Sequence, residues 1–472
     1  MEGLRLVFAM EFGSVIFLLR FLPIFFICYY LVPGRMKNFI LLLGSLCFYA
    51  WGKPLYVLPM VVSAGSDFFH GIMIEKYGKK GTAKVFAVSA TLFDLALLFV
   101  FGYADFFIDT INLFWGGNWA KFGFSMPFGI TIYTLQSLSY VFDVYRGKYP
   151  AARNLLDYAA YVTMFPQLSA GPIVRFPDVK DSLQLRKPNL RQSSYGAKRV
   201  CVGLAKIVLI SDAAGRLWEN ILGIGAANLS AATAWLGVFT YAFQVYYRFS
   251  GCADVAIGLG ACMGFAFPEN FDHPFVATSI RDFVKRWNLS LTKWMKEYFY
   301  GPLAGGSKNP FLQIFLLMVT FGLIGLWYGP DWTFVLWGLW IGLFYVVEKL
   351  FLGKILAVLP RVVGWCYAML VVSAGWLLLA MNDAENILAY LRALIGADGR
   401  RIADQRFFFL ALENLPMLVL GFFFAHPLFS GLLKKLDAGR SGASIAATRL
   451  LEKIYPPVFL LASLVYLVGR GW

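Results

Sequence analysis

Histidine is close to absent from this chain: His70, His273 and His426 are the three in 472 residues. Cysteine is sparse and scattered. None of Cys28, Cys47, Cys201, Cys252, Cys262 and Cys366 forms a C-x-x-C pair, and most lie inside apolar runs. They read as small hydrophobes, which excludes a disulfide framework and a zinc site. No tandem repeat, low-complexity tract or soluble-domain segment interrupts the chain. The N-terminal apolar run lacks a small-residue cleavage site, so it predicts a first span and not a removed signal peptide. Acidic residues are also short, 27 against 42 Lys and Arg, for a net charge of +15. The basic excess sits in loops, as cytoplasmic loops of membrane proteins require, and not in a nucleic-acid-binding surface.

What remains is apolar: 59% of residues are hydrophobic and 18% aromatic. A hydrocarbon core about 30 Å thick takes roughly 20 apolar residues in a helix. Runs of that kind lie near 14–32, 38–62, 85–101, 127–145, 200–222, 232–247, 311–328, 332–350, 361–381, 407–425 and 456–469. Segments 155–173 and 253–267 are weaker and rich in Gly, Pro, Ser or Asp, so they are candidates for re-entrant chain. The reading is an all-α polytopic membrane protein, residues 1–472 forming one integral membrane domain of roughly 11 to 13 spans or half-spans. The loop 175–199 holds seven Lys or Arg against Asp178 and Asp181, and 75–84 carries Lys76, Lys79, Lys80 and Lys84. Both are expected on the cytoplasmic side, with 281–308. Arg35, Lys37 and Lys53 give conflicting signals and leave the first spans unoriented.

Between Phe311 and Val347 the chain has 37 residues and one charge, Asp331. Gly329 and Pro330 split this stretch into two spans. Polar groups at such a break must pair within the protein or line a cavity, which marks Tyr328 as a place for chemistry. The longest polar excursion, 268–308, is expected to carry a cytoplasmic-side interfacial helix. Ser279-Ile-Arg-Asp282 has the form of a capping box with Asp in place of Glu. Ile280, Phe283, Val284, Trp287, Leu291, Trp294, Met295 and Tyr298 then recur at helical spacing, opposite Arg281, Lys285, Arg286, Lys293 and Lys296. Asn288 sits at the boundary of the two faces; turned inward it needs a partner.

Seven ordered segments carry a resemblance. They are Met126-Pro-Phe-Gly-Ile-Thr-Ile-Tyr133, Leu138-Ser-Tyr-Val-Phe-Asp-Val-Tyr-Arg146, Phe165-Pro-Gln-Leu-Ser-Ala-Gly-Pro-Ile173, Phe249-Ser-Gly-Cys-Ala-Asp-Val-Ala-Ile-Gly258, Asn270-Phe-Asp-His-Pro-Phe275, Arg286-Trp-Asn-Leu-Ser-Leu291 and Gly325-Leu-Trp-Tyr-Gly329. With them the chain resembles the bacterial branch of the membrane-bound O-acyltransferase (MBOAT) family, near the alginate O-acetylation and teichoic acid D-alanylation membrane proteins. The resemblance implies a helical bundle around a central tunnel, with a core at 126–350. A cytoplasmic acyl donor, such as acetyl-CoA or another thioester, would enter from one side as substrate. No cofactor or metal would be bound. A cell-surface glycopolymer would receive the acyl group, with an extracytoplasmic SGNH-type or other acyltransferase as partner, and the chain would be a multi-pass protein of the cytoplasmic membrane.

The family's catalytic histidine falls on Tyr328 and its second polar position on Asn288. Trp327, Trp287, Arg248, Ser250 and Asp254 fall along the tunnel, Arg248 standing where close relatives have Asp. Only about one phenol in a thousand is ionised at neutral pH, so Tyr328 is a poor base; neutral, it still donates a hydrogen bond to an oxyanion. Each of the three histidines reads as a loop or interface residue. Arg248 is open to two readings, an anion contact or a pair with Asp254. Two other functions remain open: a pseudoenzyme scaffolding a partner transferase, and a transporter, whose mark would be paired broken helices in internal repeats.

Overall fold

The computed structural model describes residues 12–51, 53–78, 80–186, 189–381, 383–397, 399–427 and 442–469, with no side chains described for 442–449. Lys79 of the basic 75–84 loop lies outside them. Among the described residues every regular element is a helix. Five helices among the described residues are long and apolar enough to cross a membrane: Pro54–Tyr77, Gly81–Trp115, Pro310–Tyr328, Arg361–Ala380 and Leu450–Gly469. The pair Gln405–Glu413 and Leu415–Ala425 passes the same test only when taken together; bent by 69° where Pro416 enters the second helix, it is either a broken span or a re-entrant loop. The chain is an integral, all-α, polytopic membrane protein.

The remaining apolar runs are helical but shorter, or carry charge. Phe17–Leu31 is apolar and too short to pass the same test. The run at 38–62 is broken: Lys37–Ala50 ends, and Pro54 opens a separate helix. Segment 253–267 is a correction. Its glycines suggested re-entrant chain, yet one helix runs from Ala231 to Met263. The glycines there are contact surfaces. A Cβ on Gly258 would lie 2.6 Å from the Gly196 carbonyl oxygen, and one on Gly260 would meet the Phe267 ring.

The chain divides into two compact units. The first comprises Met1–Val200, Val255–Glu269 and Lys293–Pro302. Its ion pairs define one face. Lys148 and Arg175 both bind Glu297, at 2.6 and 2.5 Å, and Arg153 binds Glu75 at 2.8 Å. Burial alone would raise the Glu297 carboxyl, but these two cations hold it below the usual carboxylate range. Arg186 donates to Tyr29 Oη and Asn38 Oδ1, both at 2.6 Å, so the Arg35–Lys37 loop lies on this basic face. Lys53 reaches Ser125 Oγ at 2.5 Å, at the far end of the buried Ile130–Tyr145 helix.

Segment 155–173 starts and ends on that same basic face. The helix Leu155–Thr163 is followed by a short turn, Phe165–Leu168, and by extended chain. Its loose backbone groups are met internally: Phe165 N–H by Ser45 Oγ, Gly171 N–H by Gln167 O, and Val174 C=O by Tyr161 Oη. That satisfaction is what allows irregular chain at membrane depth.

The second unit comprises Cys201–Asp254, Asn270–Thr292 and Leu303–Trp472. Its centre is the hinged pair Pro310–Tyr328 and Trp332–Val347. Asp331, the one charge between them, caps the second helix by accepting Thr333 N–H at 2.8 Å. The two helices meet backbone to backbone. A Cβ on Gly338 would lie 2.2 Å from the Phe321 carbonyl oxygen, and one on Gly325 would lie 2.1 Å from that of Phe334. Neither obstacle is a movable side chain. Gly338→Val is therefore expected to cost about 3 kcal/mol or to abolish folding, at the upper end for overpacking. A lowered thermal midpoint of the purified protein checks this, and an unchanged midpoint refutes the close packing.

Candidate active site

Three short elements bring the site together. Tyr328 ends the first helix of the hinged pair. Gly329 follows it with extended backbone, φ 177°, and its missing Cβ leaves room for Phe334, whose ring carbon would otherwise be 2.6 Å away. Trp287 and Asn288 come from the polar excursion, where a continuous amphipathic helix was expected. The apolar face of that helix is as expected: Ile280, Phe283, Trp287, Leu291, Trp294, Met295 and Tyr298 are buried. The helix is not continuous. Ile280–Val284 ends, and Leu289 begins a new helix after Asn288 at φ +42°.

The break has an identifiable cause. Asn270 accepts the Leu289 N–H on its backbone oxygen at 2.9 Å, and its Oδ1 accepts Ser290 N–H and Oγ–H. Asp272 N–H donates to Arg286 C=O at 2.9 Å. These bonds replace the intrahelical ones, and asparagine is among the few residues that tolerate a left-handed conformation. The capping box is modified too. Ser279 Oγ accepts Asp282 N–H at 3.0 Å, but the Asp282 carboxylate reaches back to Thr278 N–H. The next two amides, Ile280 and Arg281, donate to the buried Glu348 carboxylate at 2.6 and 2.9 Å. Glu348 belongs to the π-helical turn Glu348–Leu352, directly after the second helix of the hinged pair, whose 16 residues fall short of a full span. It pins the start of the excursion to that helix.

At the centre, Tyr328 Oη accepts two hydrogen bonds, from Trp287 Nε1–H at 2.9 Å and from Asn288 Nδ2–H at 2.8 Å. Two donors on one phenol oxygen fill its acceptor sites and leave its own hydrogen to donate outward. Such a chain of bonds also polarises the O–H and strengthens it as a donor. Three rings stand edge-on to Tyr328: Trp327 at 5.1 Å, Trp337 at 5.3 Å and Phe249 at 5.4 Å. Trp376 lies against both Trp287 and Trp337, at 5.2 and 5.8 Å. The buried indole N–H groups of Trp337 and Trp376 have no acceptor among the described residues.

Of the residues singled out in the sequence, Tyr328, Asn288, Trp287 and Trp327 are brought into contact. Arg248, Ser250 and Asp254 hold other partners. Arg248 pairs with Asp212 at 3.4 Å, and Lys206 binds Asp254 at 2.6 Å and Ser250 at 3.0 Å. The residue of that helix that touches Tyr328 is Phe249. Each histidine has a local partner: His70 bonds Ser66, His426 bonds Phe422 C=O, and His273 lies beside Asp272. Glu348, Trp337 and Trp376 were not foreseen. Glu348 was legible only as a charge at the end of an apolar run, and the two tryptophans looked like any other residues of a span.

Residues 150–381 match the model of the membrane-bound O-acyltransferase family. The chain is 36% identical to the probable alginate O-acetylase of Azotobacter vinelandii, over 80% of this chain and 76% of that one. It is 29% identical to the peptidoglycan O-acetyltransferase of Helicobacter pylori, over 90% and 87%. It is 27% identical to the teichoic acid D-alanyltransferase of Bacillus subtilis, over 45% and 56%.

Glu348→Gln places an amide NH2 against one of the two backbone donors. It is expected to destabilise the protein by about 2 kcal/mol, the cost of a charged hydrogen bond lost in the interior. A thermal midpoint equal to that of the parent protein would show that the carboxylate does not hold the excursion.

Proposed function

This chain belongs to the membrane-bound O-acyltransferase family, and we propose that it moves an acyl group, acetyl foremost, from a cytoplasmic thioester such as acetyl-CoA toward a hydroxyl of an extracytoplasmic cell-surface glycopolymer. The relatives named alginate O-acetylase and peptidoglycan O-acetyltransferase support acetyl and a polymer acceptor. The basic face of the first unit supports a cytoplasmic side, and hence residence in the cytoplasmic membrane. An extracytoplasmic acyltransferase partner, of SGNH or other type, would complete delivery to the polymer. The catalytic core would be 126–350, with donor and acceptor meeting in a tunnel along Trp287, Trp327, Arg248, Ser250 and Asp254.

The observation that carries this reading is the phenol held by two N–H donors at the break between the two hinged helices. In the proposed reaction an acceptor oxygen attacks the thioester carbonyl, and the carbonyl oxygen gains negative charge. Tyr328, at the position of the family's histidine, donates its outward hydrogen to that oxygen, and Asn288 and Trp287 fix the phenol. The intermediate collapses by releasing the thiolate, which takes up the proton lost by the acceptor hydroxyl. The products are an ester and a free thiol. Tyr328 acts here as a hydrogen-bond donor and not as a base. The free indole donors of Trp337 and Trp376 suit a site that receives an oxygen-rich group.

A second reading has its own observation. All three imidazoles are engaged elsewhere, so no base stands at Tyr328. The chain would then scaffold its partner transferase without catalysing the step.

Tyr328→Phe removes only the hydroxyl and is expected to lower acyl transfer to polymer by about 100-fold, the usual loss of one oxyanion donor. Polymer-bound acyl ester, measured in membranes at matched protein levels, checks it. Full activity in the phenylalanine variant would remove Tyr328 from the mechanism. Activity gained only in Tyr328→His would favour the scaffold reading.

A further inference from the structure

Two cations on the basic face of the first unit have no recorded carboxylate partner among the described residues. Arg186 follows the helix Phe176–Leu185. Its guanidinium lies 4.6 Å from the Phe265 ring centre and 5.4 Å from that of Tyr29. Nε and one terminal nitrogen are committed to Tyr29 Oη and Asn38 Oδ1. The other, Nη2, is buried with no acceptor. Lys37 Nζ stands over the same Tyr29 ring at 5.2 Å, and over Tyr30 at 5.8 Å, so the two charges repel each other. The carboxylate that acts on Arg186 from a distance, Asp157, is itself engaged by Asn38 Nδ2 at 2.6 Å.

The rings are rigidly placed. Tyr29 and Tyr30 donate their hydroxyls to the carbonyls of Met263 and Cys262, at 2.7 and 2.6 Å. Fixed cations with a spare, buried donor form a preorganised anion site, because the cost of ordering them has already been met. A guanidinium and an ammonium together match the charge and the several acceptor oxygens of a phosphate.

We propose that Lys37 and Arg186, framed by Tyr29, Tyr30, Asn38 and Phe265, bind a phosphate group. Two sources share that chemistry: the headgroup of an anionic phospholipid and a soluble phosphate. The adjoining helix Phe17–Leu31 exposes Ile24, Ile27 and Leu31, an apolar strip along which an acyl chain can lie. That strip favours the phospholipid.

The test is thermal unfolding of the full chain in detergent micelles. Phosphatidylglycerol, phosphatidylcholine, inorganic phosphate or coenzyme A is added at matched ionic strength. Arg186 braces Tyr29 and Asn38, so its removal also perturbs the fold; Lys37 holds no recorded hydrogen bond, and Lys37→Gln is the deciding variant. Phosphatidylglycerol is expected to raise the unfolding midpoint more than phosphatidylcholine does. In Lys37→Gln the concentration needed is expected to rise about fivefold, as for one basic residue near an anionic lipid surface. Stabilisation by inorganic phosphate or coenzyme A that is lost in the variant assigns the site to a soluble phosphate. The proposal is overturned if no phosphate compound raises the midpoint above the phosphatidylcholine control. It is also overturned if the variant responds as the parent does.

Discussion

The two N–H groups that meet on the Tyr328 oxygen depend on a turn that a membrane protein can make only at a cost. Within hydrocarbon, a helix that stops leaves amides and carbonyls without partners, and each costs several kcal/mol. At the hinge after Tyr328 and in the excursion that carries Asn288, this chain stops helices beside its most polar residues. Each stop has a partner supplied from elsewhere in the second unit. Asp331 takes the amide that opens the second helix of the hinged pair, Glu348 takes two at the start of the excursion, and Asn270 takes those that the left-handed Asn288 sets free. The site is thus assembled from satisfied helix ends. Those ends place an indole N–H and a carboxamide on the same phenol, which no continuous helix does at i and i+1.

Packing fixes the other half of the geometry. Gly325 and Gly338 let the hinged helices touch through their backbones, so Trp337 is carried against Tyr328 and Trp376. Edge-on aromatic contacts of this kind each contribute about 1 kcal/mol beyond area burial and have narrow geometric tolerance. A phenol enclosed by Trp327, Trp337 and Phe249 on its ring, and by two donors on its oxygen, has few ways to move. That matters for the role proposed for Tyr328, since an oxyanion donor's effect rests on being in place before charge develops.

What the sequence disclosed follows from what periodicity can carry. Long apolar runs, the break at Gly329-Pro330 and the buried face from Ile280 to Tyr298 are local patterns, and all were legible. The family motifs single out Tyr328, Asn288, Trp287 and Trp327, which the fold brings into contact. Two misreadings share one cause. Glycines at 258 and 260 looked like helix breakers but are places where another backbone or ring comes close. The apolar face of the excursion looked like one helix because a one-turn interruption preserves the sidedness of Phe283, Trp287 and Leu291. In both cases the deciding atoms, the Gly196 carbonyl and Asn270, are far away in sequence. Glu348 was hidden for the same reason: nothing near it says that its carboxylate closes a helix end 68 residues earlier.

Tyrosine at the hinge is also consistent with the hydrogen-bond arithmetic of its cradle. A neutral imidazole has one acceptor nitrogen, so two converging N–H donors would leave one of them unpaired. A phenol oxygen accepts both and still donates. The Trp287 N–H can only donate, whereas the Asn288 amide can turn over and present its oxygen. The cradle therefore suits a phenol, with both groups donating; an imidazole nitrogen at the same point either accepts an N–H or donates one, so only one of the two contacts would be made. Asn288 is the adaptable member of the pair, and Trp287 the fixed one. The walls around position 328 thus match the ring that occupies it, and those walls are held by Glu348, Asn270 and the glycine contact.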